Sequence, residues 1–186
     1  MQNYKKKSTM YTKDFRENYY TGLKGIYFYK ILEKIIKIGN LKNSDVRVLD
    51  FGCGTGKLKK LLPGKVIGYD ILHELSDVSD WKKEKFNVVV ANAVFYLFTA
   101  EELTSFLEEL QKYNSNIKMI CVTRKKYPIL NNILKYIAGE PDAHADTKLL
   151  PKQELDILQK KMRIIKKSDV FLMSNVYLME FKNMED

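Results

Sequence analysis

Val48-Leu49-Asp50-Phe51-Gly52-Cys53-Gly54-Thr55-Gly56-Lys57-Leu58 is an apolar strand that runs into a glycine-rich turn and the start of a helix. Glycine at the end of a buried strand lets the backbone turn sharply and lets a ligand approach it. The helix that follows offers unpaired N–H groups to the ligand's polar end. The spacing is GxGxG, and the place where a dinucleotide site needs its third glycine holds Lys57. Asp50, directly before the turn, would repel a phosphate and is suited to orienting the loop or to accepting a bond from a ligand ammonium. A smaller ligand than a pyrophosphate dinucleotide is therefore expected. Asp70 stands 20 residues after Asp50, at the end of the next apolar run, where a carboxylate can accept both hydroxyls of a ribose.

Working outward, Leu23, Tyr27, Ile31, Ile35 and Ile38 recur at helical spacing before Gly39, so residues 1–40 read as an N-terminal helical arm. Strands are expected at Val46–Leu49, Lys65–Tyr69, Val88–Ala91 and Ile117–Val122. A brief helix from Leu58 stops at Pro63-Gly64. Thr99 and Glu102 have capping-box form ahead of Leu103, Phe106, Leu107 and Leu110. Residues 124–150 form a less regular insertion with a short amphipathic helix over Ile129–Ile137, which reads first as core packing against the sheet and is also compatible with a lid or a surface docking helix. Pro151 opens a last helix, and Arg163–Met173 and Val176–Phe181 form a closing antiparallel hairpin about Ser174-Asn175. The whole reads as one α/β domain over residues 1–186, with a mostly parallel central sheet, helices on both faces and a C-terminal antiparallel strand.

The chain has 186 residues, 45% of them hydrophobic, and a formal net charge of +9. No run is long and apolar enough for a membrane span, and the basic start lacks a signal-peptide core, so a soluble, cytoplasmic protein is expected. Two cysteines and two histidines without ligand spacing predict neither a disulfide framework nor a metal site. The lysines are scattered along the chain, which reads first as a solvated surface. Nucleic acid or an anionic membrane surface is the other reading of the charge.

The stretch from Val48 to Leu58 resembles the first motif of class I S-adenosylmethionine-dependent methyltransferases. Val66-Ile67-Gly68-Tyr69-Asp70 is similar to that family's ribose-binding strand end, and Phe86–Val94 to its fourth strand and the loop that borders the substrate. The resemblance covers about residues 20–182 and implies a Rossmann-like methyltransferase fold with S-adenosylmethionine as cofactor. It implies backbone contacts from Gly52, Cys53 and Gly54 to the methionine moiety, a ribose on Asp70, and Asn92 near the methionine end. It also places Asp77-Val78 beside adenine, and Tyr19 or Tyr20 over the cofactor.

Two places depart from the family pattern. Six residues between Asp70 and Asp77 are too few for a joining helix, so the third strand is expected as a stub around Leu75 and Ser76. Asp80-Trp81 is then a rival for adenine, with the indole stacked on the base. Asn87 replaces a common aspartate, which bears on loop support rather than on cofactor binding. Where the acceptor needs a general base, His144 is the candidate, and His73 is a poorer one. Tyr96 and Phe95 are candidates for an apolar acceptor wall. Asn92-Ala93-Val94-Phe95 stands where base methylases carry Asn-Pro-Pro-Tyr, which favours a small-molecule acceptor. An RNA or protein acceptor, or a binding protein without turnover, is the alternative.

Overall fold

A computed structural model of the chain describes residues 20–125 and 147–182. Tyr19, His144 and the expected 129–137 helix lie outside the described residues. The elements are α1 (Gly22–Ile38), β1 (Val48–Phe51), α2 (Lys57–Leu61), β2 (Val66–Tyr69), β3 (Val88–Asn92), α3 (Ala100–Tyr113), β4 (Lys118–Arg124), α4 (Pro151–Lys161), β5 (Met162–Val170) and β6 (Ser174–Phe181). One six-stranded sheet has the order β2-β1-β3-β4-β6-β5. The first four strands are mutually parallel, and β6 runs antiparallel to both β4 and β5.

The apolar runs are buried on both faces, as parallel strands require. Leu49, Val89, Ala91, Met119 and Cys121 pack with Leu103, Phe106, Leu107 and Leu110 of α3 and Leu158 of α4. Val48, Val88, Val90, Ile120 and Val122 face the other way, onto Ile31, Leu32 and Ile35 of α1 and Leu58 of α2. The Thr99 hydroxyl accepts the Glu102 N–H at 3.1 Å and the Glu102 carboxylate accepts the Thr99 N–H at 2.6 Å, which closes the capping box. Asn87 supports the start of β1. Its side-chain oxygen accepts the Arg47 N–H, and its amide donates to the Asp45 carbonyl, both at 2.9 Å.

Two expectations are corrected. No strand forms around Leu75 and Ser76; His73–Leu75 is a single 3-10 turn. Asp77 covers the β2 edge instead, donating its N–H to the Gly68 carbonyl at 2.9 Å and accepting the Gly68 N–H on its carboxylate at 2.7 Å. The Asp70 N–H next along this edge reaches the Ser76 hydroxyl at 3.1 Å. Two side chains thus satisfy an edge that a further strand would otherwise pair.

The hairpin turn lies at Phe171–Met173 rather than at Ser174-Asn175, with Phe171 at φ 49°. Ser174 and Asn175 are good turn formers, but they pair on both sides, with Arg124 and Thr123 of β4 and with Val170 and Asp169 of β5. Ladder bonds on both edges outweigh the local turn preference.

Candidate functional site

The chain leaves β1 for β2 on one side and then places β3 on the other, so a crevice opens at the carboxyl ends of β1 and β3. A cavity of about 560 Å³ lies there. Asp50–Thr55, Tyr69–Ile71, Asn92–Val94 and Tyr96–Phe98 line it, with Tyr20 and Phe28 along one side and Glu102 and Lys148 along another. A second concavity of similar volume, with Arg47, Lys59, Lys65 and Lys85 in its wall, sits at the β2 edge away from the glycine turn. Lys59 is committed there to Asp77, and Lys65 to the carbonyls of Lys42 and Asn43.

Gly52 is glycine for two reasons. Its φ is 76°, and a Cβ at this position would collide with Cγ2 of Val94. Val94 is itself aimed at the turn by the left-handed backbone of Ala93, φ 55°, an uncommon conformation for a residue with a side chain. The turn and the β3 loop therefore fit each other with backbone exposed between them.

The turn is held from β2. The Asp70 carboxylate accepts the Gly54 N–H at 3.0 Å and, through its other oxygen, the Leu72 N–H at 3.1 Å. Cys53 points away from the crevice, its Sγ donating to the Leu75 carbonyl at 3.3 Å. Burial, with the carboxylates of Asp50, Asp70 and Asp77 nearby, pushes its thiol up to about 12. That rules against a thiolate nucleophile.

Asp50 is 5% exposed. Burial and the charges of Asp70 and Asp77 push its carboxyl up to about 7. A positive charge placed beside this carboxyl would favour its ionised form. Burial and the charge on Asp50 also push the Tyr20 hydroxyl above the usual phenol range, and the Lys57 ammonium lies 5.2 Å from the Tyr20 ring.

Of the residues read from the sequence, Asp50, Gly52, Cys53, Gly54, Asp70, Asn92, Tyr96 and Tyr20 come together around this cavity. Asp77 and Val78 do not line it. Partial burial opposes ionisation of Asp77, but the Lys59 ammonium at 2.6 Å and the Gly68 N–H hold its carboxyl below the usual range. Trp81 is 5% exposed and packs among Phe86, Phe106 and Tyr113, so its indole is core and does not stack on a ligand. Phe95 is likewise fully buried, which leaves Tyr96, Leu97 and Phe98 as the wall. His73 is exposed outside the cavity.

Tyr96 is braced from behind. The Arg124 guanidinium lies 4.5 Å from its ring centroid, and its carbonyl accepts the N–H groups of Lys148 at 2.8 Å and Leu149 at 3.2 Å. Lys148 then pairs with Glu102 at 3.3 Å on the rim. Reading the sequence missed Ile71, which is 84% exposed beside Asp70 at the cavity edge. An apolar residue just past a strand-end carboxylate, outside any periodic pattern, was its only signal.

No protein-family model and no curated protein matches the chain. Solved structures do match in fold. Magnesium protoporphyrin IX methyltransferase from Synechocystis PCC 6803, with bound S-adenosylhomocysteine, is 17% identical at a TM-score of 0.59, covering 97% of this chain and 100% of that one. The N-methyltransferase NodS from Bradyrhizobium japonicum WM9, in complex with S-adenosylhomocysteine, is 9% identical at 0.59, covering 84% and 88%. The N,N-8-amino-8-demethyl-D-riboflavin dimethyltransferase RosA from Streptomyces davawensis is 10% identical at 0.60, covering 97% of this chain and 61% of that one. The chain has the Rossmann-like fold of class I methyltransferases.

Proposed function

We propose that this chain binds S-adenosylmethionine in the crevice and catalyses methyl transfer to a small-molecule acceptor. The observation that carries the reading is the pair of buried carboxylates on adjacent strand ends, Asp50 and Asp70, on either side of a backbone-lined glycine turn. Asp50 offers a counter-charge to a cationic ligand. Asp70, held by two backbone N–H groups at the cavity wall, would accept from a ribose.

The bound cofactor supplies a methyl group activated by a sulfonium centre. Gly52, Cys53 and Gly54 would hold the methionine portion with backbone groups, and Asn92 borders the same end. The exposed face of Ile71 offers apolar surface to the base, and Tyr20 covers the opening beside Asp50. Tyr96, Leu97 and Phe98 form a mostly apolar wall that would orient an acceptor and exclude water, which is the main contribution this chemistry asks of a protein. The shared volume of about 560 Å³ favours a compact acceptor.

Incubation of the protein with methyl-labelled cofactor and a metabolite extract tests the assignment. Label in a small-molecule fraction is expected. Label in RNA or protein would move the acceptor to those classes, and cofactor binding with no transfer to any fraction would make this a binding protein.

A further inference from the structure

The fold gathers charge that is scattered along the sequence. Residues 20–38, 124–125 and 166–173 carry eight lysines and arginines against two carboxylates, Glu33 and Asp169, which pair with Lys30 and Lys125, and so hold most of the net charge of +9. The alternating sheet order brings these segments together: α1 packs across β5 and β6, and Arg124 ends β4 opposite Ser174 of β6. Lysines dispersed in the sequence thus share one face of the fold.

The same face exposes large apolar side chains. Phe171 and Leu172, in the β5–β6 turn, are 58% and 62% exposed, and Ile26 and Tyr29 of α1 are 62% and 45% exposed. Phe171 tilts against Tyr27 with ring centroids 6.3 Å apart, which sets the β5–β6 turn against the first turns of α1. Tyr29 meets Tyr20, a lining residue of the crevice, at 5.4 Å. Because β6 runs antiparallel to β4, its first residues and the turn before them lie at the carboxyl end of the parallel strands, the end where the crevice opens.

From this we infer that the first turns of α1 and the β5–β6 turn dock on an anionic lipid bilayer, which sets the mouth of the crevice at the headgroup layer. Protruding aliphatic and aromatic side chains among lysines suit the boundary of headgroups and acyl chains. The basic residues alone would suit any polyanion. Ile26 and Leu172 decide against nucleic acid, since an aliphatic chain has no π-face for a base and gains nothing from a phosphate backbone. No described helix is long and apolar enough to cross a membrane, so the contact is peripheral.

The test is co-flotation of the full chain with vesicles of phosphatidylcholine alone and with about one-third phosphatidylserine, alongside a Phe171→Asn/Leu172→Ser variant. Asparagine tolerates the left-handed backbone at position 171, and neither residue lines the crevice. A roughly tenfold or greater preference for anionic vesicles is expected, lost in the variant while circular dichroism and the thermal melt stay unchanged. Equal partitioning to both vesicle types would overturn the inference. So would vesicle binding that the variant retains, or binding that a single-stranded RNA displaces equally in both proteins. Methyl transfer does not enter the readout, so this inference and the proposed activity fail independently.

Discussion

The carboxylate of Asp70, at the end of β2, accepts the N–H of Gly54 at 3.0 Å and thereby fixes the turn that follows β1. One residue thus shapes the backbone cradle and faces the position we propose for a ribose. Replacing it separates the two contributions. Asp70→Asn keeps an acceptor for Gly54 but loses the charge, whereas Asp70→Ala loses both. Calorimetric titration should show cofactor affinity falling at least about tenfold in Asp70→Ala, with Asp70→Asn in between; hydrogen bonds to a charged group typically contribute about 1.5–3 kcal/mol each. Unchanged affinity in Asp70→Ala would contradict the ribose assignment.

Gly52→Ala meets two obstacles, the positive φ and Val94. A strained backbone of this kind costs on the order of 1–3 kcal/mol, and the clash adds to it. Chemical denaturation should find the variant destabilised. A second change, Val94→Ala, should recover only the steric part. Full recovery would show that the backbone conformation contributes nothing.

The pH dependence follows from two carboxyls held above their ordinary range, Asp50 at about 7 and Glu154 at about 8, both raised first by burial. A carboxyl whose folded pKa exceeds its unfolded value stabilises the fold below the unfolded pKa, and that stability is lost as pH rises through the folded one. The ligand-free protein should therefore lose thermal stability between about pH 4 and pH 8. Asp50→Asn should flatten the part of that loss up to about pH 7. Cofactor affinity should move oppositely, rising through the same window as Asp50 ionises. Flat melting temperatures in both proteins would remove Asp50 from this role.

Asp77 covers the β2 edge at Gly68 and does not line the cavity. Asp77→Ala should cost stability of about 1–3 kcal/mol, since it frees the Gly68 N–H and the Lys59 ammonium, while the intrinsic cofactor affinity of the folded protein changes little. A large affinity loss without a stability loss would restore it to the adenine side.

These corrections mark what the sequence made legible. Val88–Ala91 and Val48–Leu49 were readable as buried parallel strands because both faces meet helices, and the Thr99/Glu102 cap carries its own local chemistry. That Asp50, Gly52 and Asp70 line one cavity was readable because turn and strand end lie within one local unit. Asp77, Trp81 and the Phe171 turn were not, because partners remote in sequence decide them. Asp77 answers to the open Gly68 edge, Trp81 to Phe106 and Tyr113, and Ser174 to Arg124. The charged face is of the same kind, since α1 and β5 lie at opposite ends of the chain.

The central claim is that the crevice between β1 and β3 takes S-adenosylmethionine. Calorimetric titration of the folded protein with S-adenosylmethionine and S-adenosylhomocysteine tests it most directly. Saturable heat for both at one site is expected, weakened in Asp70→Ala. No heat at millimolar ligand, from a sample whose circular dichroism and cooperative melt show it folded, would contradict it.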